Sequence, residues 1–142
     1  MIVRGATDSD LAWLTRTGLE TYQKVFRPLL PGVDWSVFDE AFFAARFRRD
    51  LDRVRIACHE EKRLGLALLT GTHLDMLFVA GGQRGAGVGG RLLDGARTLE
   101  CFAVNGAARR FYERHGWTLE RSYARSFGGV ACDFVAYVRE FR

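Results

Sequence analysis

Leu74-Asp-Met-Leu-Phe-Val79 is followed by Ala80-Gly-Gly-Gln-Arg-Gly-Ala-Gly-Val-Gly-Gly90 and then Arg91-Leu-Leu93, a succession that reads as strand, loop and helix. Met76 and Phe78 alternate with Asp75, Leu77 and Val79, the period of a strand, and the pattern stops where small and polar residues take over. Five glycines lie between Gly81 and Gly89, a density no regular element tolerates, because each costs conformational entropy and offers no side chain to bury. The main chain is therefore the working surface of this loop. Val88, Leu92 and Leu93 restart an apolar pattern at helical spacing. The N–H groups of that first turn lack partners inside the helix and stand at the positive end of its dipole, where a phosphate or pyrophosphate fits.

Three readings of the glycines compete. A P-loop is excluded because no Lys follows the second glycine. Gly85, Gly87 and Gly90 complete a formal Gly-x-Gly-x-x-Gly, but a dinucleotide site needs a full crossover and an acidic residue about 20 positions on. Glu100 comes too early for that. The third reading is Arg84-x-x-Gly87-x-Gly89, and the segment that follows favours it. Asn105 is a good helix N-cap, Ala107, Ala108, Phe111 and Tyr112 form an apolar stripe, and Gly116 is placed to stop the helix after Arg114 and His115.

Together, Arg84-x-x-Gly87-x-Gly89 and the run Leu99 to Trp117, with its Asn105 and Phe111-Tyr112, resemble the two ordered signatures of the GNAT superfamily of N-acetyltransferases. The resemblance is strongest over Leu74–Trp117 and implies an α/β (α+β) fold. A mixed, mostly antiparallel sheet of six to seven strands would be flanked by about four helices. One departure stands out: Val88–Arg97 leaves room for a helix of only about ten residues, ~15 Å long, at the lower limit for a parallel crossover. Gly95 would sit in its middle at a cost of ~1 kcal/mol relative to Ala.

The length of 142 residues, with 48% hydrophobic and 27% charged, suits one domain over 1–142. The amino terminus lacks a signal-peptide core and no apolar run approaches ~18 residues, so a cytoplasmic chain with no membrane partner is expected. Cys58, Cys101 and Cys132 show no Cys-x-x-Cys spacing and read as reduced, packed thiols, with no metal site. The net charge of +4 comes from dispersed arginines, which suits an anionic cofactor or a solvated surface and does not imply nucleic acid.

Elsewhere, Ile2-Val-Arg4 reads as a first strand, with Thr7 or Asp8 capping a helix that carries Leu11, Trp13, Leu14 and Leu19. Asp34 or Ser36 is expected to start a second helix with its stripe at Val37, Phe38, Ala41, Phe42, Ala45 and Phe47, and Arg46, Arg48 and Arg49 at a solvated end. Strands from Val54 and Leu64 flank a polar turn at Glu60–Arg63. A hairpin turns at Gly128-Gly129, with Cys132, Phe134, Ala136 and Val138 on one face. The aromatic-rich region of Tyr22, Phe26, Trp35, Phe38, Phe42 and Phe43 is core by the plain reading. By resemblance, it lines an acceptor groove.

The resemblance further implies acetyl-CoA as co-substrate and a direct transfer to the primary amine of a small-molecule or peptide acceptor. Tyr112 would protonate the departing thiolate, and Asp75 is the favoured base over His73 and Glu100. Main-chain groups of Leu77, Phe78 and Val79 would meet the thioester and pantetheine beside a strand bulge. Arg84, Gly85, Ala86, Gly87, Val88 and Gly89 would hold the pyrophosphate, with Asn105 touching the coenzyme. Arg91, Arg109 and Arg110 are assigned either to the 3′-phosphate or to solvent. Family members are often dimers, so a homodimer through the apolar hairpin is an expected assembly. A non-catalytic coenzyme-binding module of the same fold is the alternative, and a nicotinamide oxidoreductase a distant third.

Overall fold

The computed structural model describes residues 1–80 and 87–140. In chain order they form β1 (Ile2–Gly5), α1 (Leu11–Thr21), α2 (Glu40–Asp50), β2 (Val54–His59), β3 (Lys62–Thr70), β4 (His73–Val79), α3 (Val88–Leu92), β5 (Thr98–Phe102), α4 (Gly106–Arg114), β6 (Thr118–Phe127) and β7 (Val130–Val138). The strands make one seven-stranded sheet in the order β1-β2-β3-β4-β5-β7-β6. Every pairing is antiparallel except β4 with β5. The expected mixed sheet with four helices is what the chain forms.

Both faces are covered. On one, α3 and α4 bury Val88, Leu92 and Tyr112 against Ala67, Leu69, Leu74, Leu99 and Tyr137. On the other, α1 and α2 bury Leu14, Phe43 and Phe47 against Ile56, Leu66, Leu68, Met76 and Phe78. β3 is consequently buried almost throughout, which explains its unbroken apolar run Leu64 to Leu69. The loop before α2 adds a third cluster, with Val33 against Phe102, Cys132 and Phe134. All three cysteines are free thiols. Among the described residues no helix is long and apolar enough to cross a membrane.

Local chemistry corrects several sequence expectations. Helix α2 starts at Glu40, capped by Asp39, whose Oδ1 accepts from Phe42 N at 2.9 Å; Asp34 instead caps a short 3-10 turn over Trp35–Val37. This start makes Phe43, Phe47 and Asp50 the inward stripe, leaves Ala41 and Ala45 exposed, and leaves Val37 52% exposed. Nor is the end of α2 merely solvated. Arg46 Nε donates to buried Asp50 at 2.6 Å, and Arg49 and Arg53 converge on the same carboxylate. These contacts, that of Arg49 first, hold the Asp50 carboxyl below the usual carboxylate range.

Helix α3 is shorter still than the ten residues expected, five in all. Gly95 lies beyond it in the left-handed region at φ +84, where it turns the chain instead of weakening a helix. Arg139 donates to the Ala96 carbonyl at 3.2 Å and to the Leu93 carbonyl at 3.0 Å, which also accepts from Ala96 N at 2.9 Å. The helix is seated closely because β3 carries Gly65 beneath it. A Cβ there would stand 2.9 Å from the Phe78 carbonyl and 3.2 Å from Val88 and Leu92. The β2–β3 turn is tighter than expected, with only Glu60 and Glu61 between the strands. The hairpin at Gly128-Gly129 forms as read, both glycines having positive φ as a type I′ turn requires.

Candidate active site

The one parallel seam is also where the sheet comes apart. Among the described residues β4 pairs with β5 only at His73–Thr98 and Leu74–Leu99, after which the two strands separate and the remaining edge of β4 has no strand partner on that side. A cleft of about 1020 Å³ occupies the gap. Its walls come from both layers. Gly87, Val88, Gly89, Asn105, Ala108 and Tyr112 line it on the α3/α4 side. Tyr22, Phe26, Phe102, Phe127 and Phe134 line it on the side of α1 and the loop after it, and Leu77, Phe78 and Val79 run between the two.

Tyr112 reaches the cleft from α4 at 8% exposure, its ring edge-on to Phe111 at 5.3 Å and to Trp117 at 6.0 Å. Burial, and then the nearby Cys101 thiol, push its phenol well above the usual tyrosine value. The group therefore keeps its proton at neutral pH, as a proton donor must. Cys101 itself, on β5, is pushed up to about 11 by burial, so its thiol is not an activated nucleophile. The α4 frame that carries Tyr112 is tied down twice. Asn105 Oδ1 accepts from Ala108 N at 3.2 Å. Arg109 donates to the buried Tyr137 hydroxyl at 3.0 Å, which in turn donates to Glu113 at 2.9 Å.

Asp75 lines the cleft and accepts from Thr70 Oγ1 at 2.5 Å. It sits in the strand bulge itself, because Leu74 pairs with Leu69 while Met76 pairs with Leu68. The bulge thus falls earlier than the Phe78–Val79 position expected, where β4 stays in unbroken register with β3. Its consequence is a switch of faces: Leu74 packs with Leu77 and Val79, and Met76 and Phe78 pack on the other side. His73 therefore does not join Asp75. Its Nδ1 shares a hydrogen bond with Thr98 Oγ1 at 2.8 Å, beside a separate small pocket near Tyr123 and Val138. Glu100 does line the cleft, 3.8 Å from Arg125.

Of the glycine-rich calls, Arg84, Gly85 and Ala86 lie outside the described residues. Gly87 has φ +77 and caps α3, and Val88 is buried at its first position. Gly89 has a packing reason for its smallness, since a Cβ there would stand 2.8 Å from Phe111 Cζ of α4. The arginines also sort themselves. Arg109 is committed to Tyr137 and to the Ala103 carbonyl, and Arg91 reaches the Met1 carbonyl at 3.5 Å, whereas Arg110 faces the cleft. Sequence reasoning missed Lys24, Arg114 and Cys101 as cleft residues. Lys24 belongs to a wide π-type turn, Tyr22–Phe26, that continues α1, and no local pattern announces such a turn. No group of three or more His, Cys, Asp or Glu among the described residues is arranged to hold a metal ion.

The fold is matched by known proteins. Residues 40–119 match the acetyltransferase (GNAT) domain family, and the chain belongs to that family. Among solved structures it is similar to the GCN5-related N-acetyltransferase of Rhodopseudomonas palustris, with 24% identity, a TM-score of 0.71, and 99% of this chain and 95% of that one covered. It is also similar to the apo form of YjaB from Escherichia coli, with 21% identity, a TM-score of 0.73 and 97% of both chains covered. The protein yncA of Salmonella typhimurium, solved with its cofactor acetyl-CoA, matches at 16% identity and a TM-score of 0.66, over 96% of this chain and 91% of that one. At these identities the likeness speaks for the fold. Among curated proteins none matches the sequence.

Proposed function

We propose that the protein moves an acetyl group from acetyl-CoA directly to a primary amine, in a ternary complex formed within the cleft between β4 and β5. The observation that carries this reading is the cleft itself, which has a proton-bearing Tyr112 on one wall and a carboxylate, Asp75, on the same strand as the free β4 edge. The acetyl-CoA complex of yncA is a second support. The residues present fit such a group. Arg110 and Arg114 offer positive charge at the cleft for phosphates, and the edge of β4 along Leu77–Val79, unpaired among the described residues, offers main-chain partners for an extended pantetheine arm.

When bound, the thioester supplies the activated acetyl group. Asp75 takes the proton that the incoming ammonium must lose before its nitrogen can bond to the acetyl carbon. Main-chain N–H groups on the free β4 edge face the carbonyl oxygen as it gains negative charge. Tyr112 passes its proton to the sulfur as the carbon–sulfur bond breaks, and the second proton that the nitrogen sheds on becoming an amide returns to the Tyr112 oxygen. The raised pKa of Cys101 fits a reaction with no acyl-enzyme.

The five-residue α3 favours one rival, a coenzyme-binding module without turnover. Two measurements separate them. Coenzyme A at 100 times its dissociation constant should stabilise the protein by ~2.7 kcal/mol and raise its melting temperature, while NAD should leave it unchanged. Acetyl-CoA with a panel of primary amines should release free thiol, and Asp75→Asn should slow that release ~10²-fold or more. A response to NAD alone ends the acetyltransferase reading. Coenzyme binding with no thiol released on any amine favours the module.

A further inference from the structure

We infer that the acceptor is a small amine carried on an apolar, ring-bearing body, seated among Tyr22, Phe26, Phe102, Phe127 and Phe134 with its nitrogen toward Asp75 and Glu100. The inference rests on the acetyl-transfer reading above and names the acceptor of that same site. If the coenzyme lies against the small residues of α3 and α4, the amine must enter from the opposite mouth of the gap. That mouth is built of rings. Phe26 meets Phe102 at 5.4 Å, and Phe102 meets Phe127 at 5.0 Å and Phe134 at 4.9 Å. Tyr22 stands behind them, 6.4 Å from Phe127 and 6.3 Å from Phe78. Rings set edge-on and tilted to one another offer apolar surface on which a further ring can pack, which favours an aromatic body.

Charge and closure narrow the class further. Asp75 and Glu100 are the carboxylates lining the cleft, and Glu100 already faces Arg125, which also covers the Phe134 ring at 4.0 Å. One ammonium is thus well served, whereas a polyamine or an amino sugar would bring further positive charges to a wall of rings. An extended peptide is disfavoured for a different reason. The loop before α2 is fastened across this end, with Asp34 N donating to the Gly128 carbonyl at 3.0 Å and Phe38 stacked on Phe127 at 4.9 Å. The groove a polypeptide would lie in is bridged there.

The test is a competition among 2-phenylethylamine, spermidine, kanamycin and a peptide with a free amino-terminal alanine, read as kcat/KM from thiol release and as binding to the free protein by calorimetry. At least a tenfold preference for 2-phenylethylamine is expected. Glu100→Gln and Phe127→Leu, both at partly or fully exposed positions, should each cut that preference several-fold without moving the melting-temperature response to coenzyme A. A preference for spermidine, kanamycin or the peptide overturns the acceptor class while leaving acetyl transfer standing. Loss of the coenzyme response in the wild type would instead defeat acetyl transfer. In that case calorimetry still decides for the ring site, which falls if 2-phenylethylamine binds no more tightly than spermidine.

Discussion

Gly18 of α1 and Gly89 of α3 perform the same steric task in opposite layers of the molecule. A Cβ on Gly18 would stand 2.7 Å from Phe43 Cδ1, and one on Gly89 would stand 2.8 Å from Phe111 Cζ, so each glycine seats a ring from the neighbouring helix. The surroundings differ. Phe43 is fully buried between two helices of 11 residues each, whereas Gly89 lies in the first turn of a five-residue helix and lines the cleft. In the α1/α2 layer the saved space is spent on packing alone. In the α3/α4 layer the same close approach also brings α4, and Tyr112 with it, up to the opened seam. One contact serves packing, and the other also sets where the Tyr112 helix meets the cleft.

The largest expected effect tests the chemical half of that division. Tyr112→Phe keeps the ring that packs on Phe111 and Trp117 and removes only the hydroxyl, so it should slow acetyl transfer by ~10²–10⁴-fold while leaving the melting temperature nearly unchanged. Equal losses in rate and stability would mean that Tyr112 is a packing residue. Next come the glycines. Gly18→Ala should cost about 1–3 kcal/mol of stability in urea melts, because buried Phe43 cannot give way, and should leave coenzyme affinity alone. Gly89→Ala should show the converse emphasis: partly exposed Phe111 can shift, so less stability is lost, but coenzyme affinity and kcat both fall. Should the two variants behave alike, the contrast between the layers fails.

What could be read in advance follows the same division between local and tertiary causes. Asn105, Gly116 and the Gly128-Gly129 turn act through their own backbone, and each stands where its chemistry placed it. The Phe111-Tyr112 helix and the β4 strand were legible for a similar reason, their periods being set by one buried face. The bulge at Asp75 was not legible, because it arises from the register of β4 on β3. Asp39 was overlooked as a cap while Asp34 and Ser36 competed for the role three to five residues upstream. Arg46, Arg48 and Arg49 looked like a solvated run because only the fold reveals that Arg46 and Arg49 share Asp50 with Arg53. The aromatic residues after α1 were read as core or groove, and they are both: Phe43 is packed away, while Tyr22 and Phe26 line the cleft.

The smallest effect concerns how the α1/α2 layer is held to the sheet at acid pH. Asp10 is wholly buried just ahead of α1 and accepts from Arg4 at 2.8 and 2.9 Å, from Arg63 at 2.8 Å and from Thr7 N at 2.8 Å. Its carboxyl is held well below the usual range, by the Arg4 hydrogen bonds first. A carboxyl whose folded value lies below its unfolded value of ~3.9 stabilises the protein above that pH and ceases to do so as the pH falls through the folded value. Arg4→Gln removes the strongest of these partners and lets the folded value climb back toward the unfolded one. Arg4 is 39% exposed and Arg63 remains in place, so the variant should be weaker by only about 1 kcal/mol at pH 7. That gap should narrow toward pH 2, because the variant's Asp10, with the higher folded value, takes up a proton in the folded state while the wild type's is still charged. Urea midpoints of both proteins between pH 7 and pH 2 measure it directly. A gap that stays constant down to pH 2 would mean that Arg4 acts by packing alone, and that this layer owes nothing to charge at its edge.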